Sequence, residues 1–110
     1  MSFKKFDIVL VDFPFTDLSI TKKRPALVIK HLEGNNTILC QITTKKRIIQ
    51  KYEIYLPKEK CKGDIRFNSN VYLDMIFTLH KNLIYRKIGE ISDSGIKEKI
   101  NDKIKEIFLE

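Results

Sequence analysis

Through residues 6–88, short apolar runs are broken by polar, turn-forming material. Phe6-Asp-Ile-Val-Leu-Val-Asp12 and Arg24-Pro-Ala-Leu-Val-Ile-Lys-His31 are rich in β-branched residues and predict two strands. Thr37 to Thr44 predicts a third, entered through the turn Glu33-Gly34-Asn35-Asn36. Tyr52-Glu-Ile-Tyr-Leu56 alternates with period two, so one of its faces is expected to be wet. Asn70–Leu79 and Leu83–Ile88 complete six strands. The connections lack the length of a parallel crossover, which leaves an antiparallel barrel or sandwich. The period then changes. Ile96, Ile100, Ile104 and Phe108 recur every four residues with Ile107 beside them, one apolar stripe of a terminal helix packed on the sheet. Ser92 or Ser94 is the expected cap, with Asp93 near the positive end of the helix dipole.

The chain of 110 residues fits one domain spanning 1–110, and a hydrophobic content of 43% supplies a core. No run approaches the ~20 apolar residues of a membrane span. Asp7 and Asp12 break the apolar stretch a signal peptide needs, so a cytoplasmic, membrane-free protein is expected. Cys40 and Cys61 have neither C-x-x-C spacing nor a histidine pair nearby; free thiols and no metal or other cofactor are expected. The net charge of +7 is uneven. Residues 1–90 hold 17 Lys/Arg against 9 Asp/Glu, and residues 91–110 hold 4 against 5. A basic sheet region suits a polyanion such as nucleic acid, and equally suits mere solubility.

Two basic loops stand out, Pro14–Lys23 and Lys45–Lys51, the latter extended by Pro57–Arg66. In Lys22-Lys23-Arg24-Pro25 the proline pushes Arg24 toward extended backbone, and a pre-oriented guanidinium suits a phosphate; a solvated charge run has the same composition. With Ile42 turned inward, alternation turns Thr43 outward, where its hydroxyl can meet a phosphate oxygen or simply serve β propensity. Asp74 can cap a turn, orient an arginine or act as a base. Phe13, Phe15, Tyr52 and Phe77 are core or base-stacking candidates. His31 and His80 lack a sequence partner, and no phosphate-loop, dinucleotide or metalloprotease motif is present.

In order, these segments resemble the MazF/PemK-like toxins. The resemblance runs through Phe6 to Asp17, Lys22-Lys23-Arg24-Pro-Ala-Leu-Val-Ile29, Cys40-Gln-Ile-Thr-Thr44, Ser69–Leu79, Leu83-Ile-Tyr-Arg-Lys-Ile-Gly89 and the terminal helix. It implies a mainly β fold, an SH3-like antiparallel barrel with a C-terminal α-helix. It also implies a homodimer, a cognate antitoxin, and metal-independent, sequence-selective cleavage of single-stranded RNA, with DNA excluded. Arg24 and Thr43 fall on the family's active pair, and Asp74 is carried over as a third catalytic position. Phe15, Thr16, Lys22, Lys23, Thr44, Lys45, Lys46, Arg47, Ser69 and Tyr72 are the expected RNA contacts.

The sequence departs from its resemblance at four positions. Tyr72 stands where many relatives carry a basic residue, Met75 where Lys is common, His80 where Asp is common and Phe6 where Gly is common. Loss of a cation at position 72 motivates an alternative, a weak or inactive relative that only binds RNA or protein. A binder predicts salt-sensitive association without product.

Overall fold

The computed structural model describes residues 3–12 and 23–110. The strands are β1 (Asp7–Asp12), β2 (Lys23–His31), β3 (Asn36–Thr43), β4 (Glu53–Leu56), β5 (Cys61–Gly63), β6 (Ser69–His80) and β7 (Ile84–Ile91), followed by helix α1 (Ser94–Leu109). They form one antiparallel sheet in the order β4-β6-β3-β2-β1-β7-β5. The mainly β fold with a C-terminal helix expected from the sequence is the fold observed.

The central strands bury both faces, which is why their sequences read as nearly continuous apolar runs. Val9, Val11, Ala26, Val28 and Leu39 face one cluster, closed by Phe3, Phe77, Leu79 and Ile84. Ile8, Leu27, Cys40 and Ile42 face the other, closed by Leu56, Val71, Leu73, Ile91 and the helix residues Ile96 and Ile100. Each fully buried aliphatic side chain contributes about 1.5–3 kcal/mol of transfer free energy. The helical stripe behaves as predicted as far as Ile107, but Phe108 is 62% exposed. Among the described residues no helix is long and apolar enough to cross a membrane.

Three details differ from the sequence reading. A seventh strand, β5, pairs with β7; at three residues it is too short to show a period. The helix cap is Asp93 rather than Ser92 or Ser94. The Asp93 carboxylate accepts from the Ile96 N–H at 2.9 Å, while the Ser92 hydroxyl donates to the Lys60 carbonyl at 3.1 Å. The β3–β6 register jumps between Cys40↔Ile76 and Gln41↔Tyr72, so Leu73, Asp74 and Met75 leave the two-residue alternation. Leu73 stays buried while Asp74 and Met75 reach the surface.

Phe6 has φ +75, a left-handed backbone conformation in which a side chain costs about 1–2 kcal/mol. A glycine here would carry no such strain. Phe6 packs on the helix-side core, and Lys97 Nζ lies 5.5 Å from its ring centroid. Those contacts offset the strain.

Candidate functional site

A cavity of about 340 Å³ opens where the ends of β2 and β3 meet the segment between β5 and β6. Arg24 and Thr43 both line it, so the structure brings together the two residues expected to act as a pair. Arg24 lies on β2 opposite Val11 of β1, one step before Pro25. Its Nε is buried and has no hydrogen-bond partner among the described residues. An unmet buried donor ordinarily costs about 1–3 kcal/mol, and more for a charged group.

Thr43 ends β3. Ile42 before it is buried and Thr43 is half-buried, as the alternation predicted. The Lys45 N–H donates to Thr43 Oγ1 at 3.2 Å. One lone pair of the hydroxyl is thereby occupied, and its proton is left to donate elsewhere. Thr44 and Ser69 line the same cavity. The Ser69 hydroxyl donates to the Phe67 carbonyl at 3.4 Å, so Ser69 holds protein backbone as well as facing the cavity.

Asp74 sits in a different arrangement and is not among the cavity-lining residues. Arg47 donates to both of its oxygens, at 3.0 and 2.8 Å, and through Nε to Glu53 Oε1 at 2.8 Å. The same guanidinium lies 3.8 Å from the centroid of the Tyr72 ring. The Tyr72 hydroxyl donates to the Lys45 carbonyl, which also accepts from Asn70 Nδ2 at 3.4 Å. A cation from position 47 is thus stacked on Tyr72 and paired with two carboxylates. The Arg47 hydrogen bonds hold the Asp74 carboxyl below the usual carboxylate range, and Asp74 in turn raises Arg47. Burial is the main cause of a raised Tyr72 pKa. Tyr72 is 5% exposed, its ring covered by Arg47 and its hydroxyl engaged. It is not placed to stack a base.

The sequence model of the family described as the PemK-like, MazF-like toxin of type II toxin-antitoxin systems matches residues 4–108. The chain belongs to this family. Toxins of the MazF/PemK family are generally endoribonucleases. No curated protein matches the chain. Among solved structures, the Mycobacterium tuberculosis toxin MazF-mt6 superposes with a TM-score of 0.72 at 19% identity, covering 94% of this chain and 96% of that one. An endoribonuclease in complex with its cognate antitoxin from a mycobacterial species gives 0.72 at 16% identity, covering 96% and 93%. MazF from Deinococcus radiodurans gives 0.70 at 15% identity, covering 96% of each chain. At these identities the likeness is one of fold.

The remaining expected contacts of this MazF/PemK-like chain fall in three groups. Phe15, Thr16 and Lys22 lie outside the described residues, with Phe13. Lys23 is exposed, its Nζ 4.0 Å from the Tyr85 ring centroid, and the Tyr85 hydroxyl donates to Asp12 Oδ2 at 2.6 Å. Lys45 and Lys46 are exposed on the turn after Thr43. Phe77 is core and Tyr52 half-buried, so neither is presented as an open stacking face. The thiols are free, and burial pushes the Cys61 thiol up to about 11 and the Cys40 thiol further still, which leaves both protonated at neutral pH.

The sequence reading missed one wall of the cavity. Asp64, Ile65, Arg66 and Phe67 line it from the β5–β6 connection. Gly63 (φ +99) and Gly89 set this segment in place. A Cβ on Gly63 would lie 2.6 Å from Gly89 Cα, and one on Gly89 would lie 2.5 Å from the Lys62 carbonyl oxygen. Only two glycines allow that approach of β5 to β7. An aromatic next to a basic residue in a polar loop was the available signal.

Proposed function

We propose that this chain is the toxin of a type II toxin-antitoxin pair, a metal-independent endoribonuclease that cleaves single-stranded RNA at selected sequences. One observation carries the reading: Arg24, whose buried Nε has no hydrogen-bond partner among the described residues, and Thr43 line one cavity. In the reaction, the RNA 2′-oxygen loses its proton and attacks the adjacent phosphorus. The bond from phosphorus to the 5′-oxygen breaks, the leaving oxygen takes up a proton, and a 2′,3′-cyclic phosphate remains. Negative charge gathers on the non-bridging oxygens in the transition state. Arg24 donates to that charge and Thr43 hydrogen-bonds a non-bridging oxygen. Arginine stays protonated far above neutral pH, so its part is electrostatic. Removing one such preorganised donor costs on the order of 100- to 1000-fold in rate. DNA lacks the 2′-hydroxyl and is not a substrate.

In this reading Asp74 and Tyr72 position rather than react. They fix Arg47 and the Lys45 carbonyl, and so the turn that follows Thr43. A cognate antitoxin, a homodimer and a cytoplasmic setting complete the proposal, supported by family membership and by the mycobacterial relative solved with its antitoxin.

One feature favours a second reading, an RNA binder that cleaves weakly or not at all. Asp74 and Glu53 both pair with Arg47 and offset its charge. The deciding experiment is cleavage of a long unstructured RNA in EDTA, with Arg24→Ala alongside and the product ends mapped. The expected result is cyclic-phosphate ends and a loss of roughly 100-fold or more in the variant. Products ending in 3′-hydroxyl would refute the mechanism. Binding that weakens with salt and yields no product would select the second reading.

A further inference from the structure

We propose that Phe67 is a stacking subsite for one unpaired nucleobase next to the phosphate held by Arg24, and that it helps decide which RNA sequence is cut. The inference rests on the ribonuclease reading above. Phe67 is 69% exposed, yet it lines the cavity shared by Arg24 and Thr43. A large aromatic left in water gains nothing from burial in the folded chain, and here its backbone is pinned. The Asp64 N–H donates to the Ile88 carbonyl at 2.8 Å. The Phe67 carbonyl accepts from Ser69, and Asn68 Oδ1 accepts from the Lys58 N–H at 3.0 Å. The Gly63–Gly89 approach seats the start of the same segment. The ring is thus presented on a held backbone at little further entropic cost.

The neighbouring chemistry suits a nucleotide. Arg66 lies beside Phe67 with its side chain 76% exposed, paired among the described residues with the exposed Asp64 at 3.1 Å. Arg24 and Phe67 line the same cavity, so a phosphate at Arg24 and a base at Phe67 can belong to neighbouring positions of one strand. Ring-on-base stacking requires an unstacked face, which single-stranded RNA offers and a duplex does not. Stacking strength and fit differ among bases, so the wall can bias selection without hydrogen-bond readout.

The chain contains no tryptophan, so Phe67→Trp creates a lone fluorescent reporter at the subsite. The probes are 2′-O-methyl dodecamers of A, of C and of U, whose blocked 2′-oxygen prevents cleavage. Saturable quenching by at least one dodecamer is expected, with one base preferred. Phe67→Ala should weaken that dodecamer's binding roughly tenfold, Phe67→Tyr should retain it, and Phe67→Ala should redistribute cleavage sites on a long RNA. If the wild type binds and cuts RNA while emission at position 67 stays constant and Phe67→Ala binds equally well, the subsite is overturned alone. An emission change on dilution without RNA, reporting a second copy over the ring, overturns it too. Failure of the wild type to bind any RNA overturns the subsite together with the ribonuclease reading.

Discussion

At the scale of single residues, identity and environment part company at Asp74. A carboxylate near an expected active site invites the role of base. The structure instead gives both its oxygens to Arg47, which also reaches Glu53 and lies on Tyr72. Exposed ion pairs contribute at most about 1 kcal/mol. Asp74→Ala should therefore lower stability by no more than about 1 kcal/mol and the cleavage rate by less than about tenfold. Denaturant melts and single-turnover kinetics measure the two effects. A drop of 100-fold or more in rate at unchanged stability would return Asp74 to the chemistry. Nothing in the period of β6 announces this role, because the register jump at Gln41↔Tyr72 takes Asp74 out of the alternation.

At the scale of elements, the smallest strand positions a wall of the cavity. β5 pairs with β7 through Cys61↔Ile91, Lys62↔Glu90 and Gly63↔Gly89. The segment carrying Ile65, Arg66 and Phe67 leaves directly from it. A methyl on Gly89 would meet the Lys62 carbonyl oxygen and the Ile65 side chain, at 2.5 and 2.9 Å. Gly89→Ala should cost about 1–3 kcal/mol, the usual range for forced overpacking. It should also impair RNA binding more than a core substitution of equal cost, such as Ile100→Val adjusted by temperature. Equal binding at matched stability would mean that the segment does not contribute. The same region anchors the helix: the Ser92 and Asp93 N–H groups donate to the Lys60 carbonyl, and Lys60 Nζ reaches Asp93 at 3.4 Å. Strand pairing, helix start and cavity wall are thus tied through β5.

At the scale of the whole molecule, the basic excess meets a set of carboxylates that the fold keeps ionised. Asp74 is held down by hydrogen bonds from Arg47, Asp93 by the Ile96 N–H and Glu106 by Lys103. Each has a folded pKa below its ordinary value of 3.8 or 4.5, so between the two values the unfolded chain binds more protons. Stability from these groups is complete above the ordinary values and disappears as pH falls through the folded ones. The thermal midpoint should hold steady near neutrality and fall once pH drops below 4.5. An Asp74→Asn, Asp93→Asn double variant should start lower and show a shallower acid slope. Parallel slopes in the two proteins would assign the acid sensitivity to other groups.

The sequence by itself determined the strand and helix periods, the mainly β class, the basic character of residues 1–90 and the pairing of Arg24 with Thr43 through a family resemblance. Those properties are local, or are carried by ordered motifs that survive wide divergence; the solved relatives share the fold at 15–19% identity. Only the tertiary structure decided that Arg47 stacks on Tyr72 and pairs with Asp74, that Asp93 rather than Ser92 caps the helix and that Phe67 stands at the cavity. The first and last depend on contacts between segments far apart in the chain, Arg47 with Asp74 and Gly63 with Gly89, and Ser92 is drawn away from the cap by the distant Lys60 carbonyl. Sequence period reports which face of an element is buried. It carries no record of what another element brings to that face.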